Sequence, residues 1–73
     1  MSSLYHDDYQ RMICRLVIAR KEAGLTQKRA AEKLGTTQSG LSKIETCQRR
    51  LDLLEFKQMV TLYQVNPVQI LKD

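Results

Sequence analysis

Tryptophan is absent from these 73 residues, and phenylalanine, proline and histidine occur once each. With only Tyr5, Tyr9, Phe56 and Tyr63 as aromatic side chains, any core must be aliphatic and compact, near the lower size limit for one domain without staples. Long apolar runs are missing too. The longest, Leu16 to Ala19, is far too short to span a bilayer or to serve as a signal-peptide core, so no membrane partner is expected and the reading is a soluble, cytoplasmic (nucleoid-associated) protein. Cys14 and Cys47 have no Cys or His nearby at metal-ligand spacing, which argues against a zinc site; a reducing compartment keeps both as thiols. There is no Cys-His or Ser-His-Asp constellation and no phosphate-binding glycine loop. An enzyme is not expected, and neither a metal nor a cofactor is called for.

What is present in excess is positive charge, and its place matters more than its size. The net charge is +4, yet between Arg20 and Arg50 eight bases face three acids, while the flanks are close to neutral. A basic middle third points to a polyanionic partner, because Lys and Arg gain affinity by releasing phosphate counterions.

The pattern along the chain is helical throughout. Residues 1–6 read as a flexible tail, and Asp7 or Asp8 as the cap of a first helix whose Ile13, Leu16 and Val17 recur at the spacing of one buried face. The next position in that stripe is Arg20, and an arginine there needs a carboxylate. Gly24 ends the helix. Thr26 caps a short second helix with Ala30, Ala31 and Leu34 inward; Gly35 stops it, and Thr37 caps a third helix ending near Glu45 with Leu41 and Ile44 inward. Two short helices joined so tightly form a helix-turn-helix unit over residues 26–45. Gln38, Ser39, Ser42 and Lys43 then fall on the outer side, and Gly40 accepts a cost of ~1 kcal/mol against alanine for close backbone approach. Asp52 and Glu55 resemble a capping box opening a fourth helix with Leu53, Phe56, Met59, Val60 and Tyr63 in the core. Asn66-Pro67 begins a short fifth helix fastened by Ile70 and Leu71.

The stretch TQKRAAEKLGTTQSGLSKIE, with IxxLVIAR-like spacing before it and LDLLEFKQMVTLYQVNP after it, resembles the lambda-repressor-like helix-turn-helix domains of the Cro and Xre type, over roughly residues 10–71. The resemblance implies an all-α, five-helix bundle in a single domain over 1–73, with helices 2 and 3 as the motif. It implies base reading by Gln38, Ser39, Gly40, Ser42 and Lys43, with Gln38 offering its amide to N6 and N7 of adenine. Phosphate contacts fall to Gln27, Lys28, Thr37, Arg49 and Arg50, Gln27 also bracing Gln38. Arg20 is expected to pair with Glu45. Where many relatives carry glycine, Cys47 and Gln64 stand here, implying either another turn or strain at positive φ. Leu51 replaces a frequent proline, implying a less rigid loop before the fourth helix.

The expected function is a sequence-specific double-stranded DNA-binding transcription regulator, a repressor acting as a homodimer on a pseudo-palindrome. Leu51, Leu54 and Leu62 are the candidate dimer patch. The alternative is a protein-interaction module, or an antitoxin-type partner of a toxin or other regulator, on the same fold.

Overall fold

The computed structural model describes residues 2–72, and the side chains of residues 7–72. These residues form five α-helices and no strand: α1 (Ser2–Glu22), α2 (Gln27–Leu34), α3 (Gln38–Glu45), α4 (Leu53–Tyr63) and α5 (Pro67–Leu71). The first helix is longer than expected. Asp7 and Asp8 lie inside it rather than capping it, and its backbone runs through residues 2–6, read from the sequence as a tail; Met1 lies outside the described residues. No glycine or proline interrupts that stretch, and the Asp8–Arg11 ion pair spans one turn on its surface.

Local chemistry sets most of the other boundaries. Thr26 and Thr37 take extended backbone, and their hydroxyl oxygens accept from the N–H groups of Arg29 (3.1 Å) and Gly40 (2.9 Å). Asp52 and Glu55 close a reciprocal capping box, at 2.7 and 3.0 Å. Asn66 caps α5, with Pro67 at its first turn. Gly35 ends α2 at φ 73°. Cys47 (φ 62°) and Gln64 (φ 56°) end the neighbouring turns in the left-handed region, each keeping the turn at a steric cost that glycine would avoid.

The core comprises Ile13, Leu16 and Ala19 of α1, Ala30 and Ala31 of α2, Leu41 and Ile44 of α3, Met59, Val60 and Tyr63 of α4, and Ile70 of α5. Full burial of an aliphatic side chain such as Leu16 or Leu41 contributes about 1.5–3 kcal/mol. The alanines of α2 let α3 come close behind it, which presents the start of α3 outward.

Two apolar expectations fail. Leu53 is 83% exposed and Leu71 is also exposed. Each keeps the helical spacing of its stripe, but Leu53 sits on the first residue of α4 and Leu71 on the last of α5, beyond the end of the packed core. Periodicity gives the face and not the point where the neighbouring helix stops. Among the described residues no helix is long and apolar enough to cross a membrane.

Candidate nucleic-acid interface

Arg20 is the one buried charged residue among those described, and it occupies the stripe position between α1 and α3. Its Nε donates to Glu45 Oε2 at 2.7 Å, its Nη2 to Glu45 Oε1 at 3.1 Å, and its Nη1 to the Leu25 carbonyl at 2.8 Å. The guanidinium thus ties α1 both to the end of α3 and to the turn before α2. Breaking either partner leaves a charge in the interior, at a cost of about 3–5 kcal/mol.

The network continues outward. Gln27, first residue of α2 and half-buried, donates through Nε2 to Glu45 Oε1 at 3.0 Å, and its Oε1 accepts from Gln38 Nε2 at 3.4 Å. Gln38 is exposed at the first position of α3. The four side chains form a continuous path from the interior to the outer face of the motif.

Ser39 and Lys43 are exposed on the same helix, and Ser42 is half-buried. Lys28 is exposed on the first turn of α2. Thr37 spends its oxygen on the Gly40 N–H, which leaves its O–H as a free donor at the tip of the motif. Gly40 has a reason inside the protein: a Cβ there would lie 3.0 Å from Thr36 Oγ1 and 3.2 Å from Thr37 Oγ1. The smallness of this face therefore follows in part from the turn.

The loop after α3 is held more firmly than the loss of proline at Leu51 implied. Arg50 stacks on the Tyr9 ring at 4.4 Å, the Leu51 N–H donates to Tyr9 Oη at 3.0 Å, and Arg49 donates to Glu55 at 2.8 Å. Arg49 holds the Glu55 carboxyl below its usual range, with the Asp52 backbone N–H adding to the effect. Both arginines remain exposed beside α3. Tyr9 is absent from any sequence-based set of functional residues because its partners lie 41 and 42 residues away. Arg15 was missed likewise: it closes the C-terminal end of α5 by donating to the Ile70 carbonyl at 3.0 Å and to that of Lys72.

The three leucines of the expected dimer patch line three different hollows. Leu51 is half-buried beside Tyr9 and Leu16, Leu54 is exposed on the groove between α4 and Pro67, and Leu62 is half-buried in a cleft with Ala19 and Leu25. Leu53, next to Leu54 and lining the same groove, is exposed as well. Among the described residues no cluster of His, Cys, Asp or Glu is placed to hold a metal ion.

Residues 16–70 match a family model described as Helix-turn-helix. The structure of an XRE-family like protein from Pseudomonas syringae pv. tomato str. DC3000 is similar over 96% of this chain and 85% of that one, with 37% identity and a TM-score of 0.87. No curated protein matches the chain at a significant level. With a tightly joined α2–α3 pair, a buried tie behind it and this likeness over nearly its whole length, the chain belongs to the XRE family of helix-turn-helix proteins and is a DNA-binding regulator, not an enzyme.

Proposed function

We propose that the protein is a transcriptional repressor that binds a pseudo-palindromic operator as a homodimer, with α3 in the major groove. The observation that carries this reading is Gln38: an exposed amide at the start of α3, braced from behind by Gln27. A surface residue without a task has no need of such support. Gln38, Ser39 and Lys43 face the bases, Ser42 and Gly40 lie against the groove wall, and Gln27, Lys28, Thr37, Arg49 and Arg50 neutralise or bond phosphates. One module reads only a few base pairs, so two copies with half-sites one helical turn apart, ~34 Å, supply the specificity. Of the leucine trio, Leu54, exposed with its neighbour Leu53, carries the dimer contact.

Selection from random duplexes at two salt concentrations tests this, with Gln38→Ala in parallel. The expected result is an enriched pseudo-palindrome that Gln38→Ala blurs at one position per half-site. Weak, salt-sensitive binding with no enriched sequence would overturn it. Sedimentation showing a monomer at high micromolar concentration, with and without operator, would remove the dimer.

A further inference from the structure

We infer that Glu45, which lies behind α3 away from its outer face, is a specificity-determining positioning residue: it fixes which way round the Gln38 amide is presented. The inference rests on the proposed reading of Gln38 as a base-contacting residue. A carboxylate can only accept hydrogen bonds, and Arg20, which can only donate, holds Glu45 in place with two N–H groups. Gln27 must therefore turn its NH2 toward Glu45, as it does at 3.0 Å, so its oxygen points away. That oxygen is what Gln38 meets, at 3.4 Å, and Gln38 can answer an acceptor only with its own NH2. One N–H of Gln38 is thereby committed inward. Its other N–H and its oxygen remain for the groove.

One donor beside one acceptor is the complement of adenine, which offers the N6 donor and the N7 acceptor. Guanine offers two acceptors, O6 and N7, and would need an amide that presents both N–H groups outward. An unbraced glutamine can turn over and supply them. The path Arg20, Glu45, Gln27, Gln38 thus converts a fixed charge in the core into a preference for one purine over the other.

Two variants test this. Arg20→Met with Glu45→Leu replaces the ion pair by apolar side chains, a change that folded proteins often tolerate, and frees Gln27 to turn over. Gln27→Lys keeps a donor for Glu45 and a cation for phosphate but offers Gln38 no acceptor. The readout is the ratio of dissociation constants for operator duplexes with adenine or guanine at the position that Gln38→Ala identifies. For the wild type, adenine should be favoured by on the order of tenfold, the range of a good bidentate contact. In both variants the ratio should fall toward one, whatever happens to overall affinity. A merely structural role for Glu45 would weaken both duplexes equally and leave the ratio alone. Retention of the wild-type ratio in a variant that circular dichroism shows to be folded overturns the inference, as does a wild-type preference for guanine. If the double substitution does not fold, Gln27→Lys decides alone. If no position responds to Gln38→Ala, the proposed function fails first and takes this inference with it.

Discussion

Two arginine–carboxylate pairs of nearly equal length serve two parts of the molecule. Arg20 meets Glu45 at 2.7 Å between α1 and α3, and Arg49 meets Glu55 at 2.8 Å on the loop into α4. Their surroundings differ: side-chain exposures are 8% and 6% for the first pair, against 43% and 29% for the second. In the first, charge is taken out of water, every nitrogen of the guanidinium has a partner, and the geometry of the recognition motif hangs on the pair. In the second, water screens the attraction and the loop leans on Tyr9 and the capping box as well. Equal distances thus carry unequal consequences.

Breaking the buried pair should have the largest effect. Arg20→Met takes the cation away from Glu45, and should cost about 3–5 kcal/mol, read from the denaturant midpoint; wild-type stability in this variant would show the seam to be wetter than it looks. Tyr63 probes the same seam from α4. Its hydroxyl is buried without a hydrogen-bond partner among the described residues, and burial, reinforced by nearby Glu45 and partly offset by Arg20, pushes its pKa up to about 12. Between the ordinary value of 10.0 and about 12 the unfolded chain releases a proton that the folded chain keeps, so stability falls as pH rises through that window. The fall should reach no more than about 2–3 kcal/mol, and Tyr63→Phe should abolish it without loss at neutral pH, where it only removes an unsatisfied hydroxyl.

The surface pair should respond more mildly. Asp52→Ala removes one half of the capping box and should cost about 1 kcal/mol of thermal or denaturant stability. Arg49→Ala should barely move the midpoint at pH 7. Because Arg49 lowers the Glu55 pKa, the stabilisation from Glu55 is present above the ordinary value of 4.5 and lost as pH falls through its lower folded value. The small difference between wild type and Arg49→Ala should therefore vanish in acid, below that lowered folded value. A difference that persists there would mean that Arg49 works through packing instead of charge.

How much of this could be read beforehand follows from the range of each interaction. Thr26, Thr37, Asp52 with Glu55, and Asn66 with Pro67 are caps whose partners lie within three residues, so the sequence displays both halves of each. Arg20 announced its need by standing in an apolar stripe, although it took the family resemblance to point to Glu45. The grip of Tyr9 on Leu51 and Arg50, and of Arg15 on α5, spans 41 to 57 residues and leaves no local trace. At the start of α1 the sequence offers a plausible cap in Asp7 or Asp8, yet nothing there stops the helix, which begins at Ser2. Gly40 was legible as a close approach but not as an approach to Thr36 and Thr37.

That last contact bears on how the protein can change over generations. On the proposed reading, residue 40 sits in the middle of the surface that chooses the operator, yet its side chain is ruled by two hydroxyls of the preceding turn, at 3.0 and 3.2 Å from where a methyl would go. Any side chain at residue 40 would press on both oxygens, which must give by a few tenths of an ångström, and Thr37 Oγ1 is the atom that caps α3. On the same reading, single steps at Ser39 or Lys43 leave that cap untouched, whereas a step at residue 40 is tied to how far the Thr36 and Thr37 hydroxyls yield.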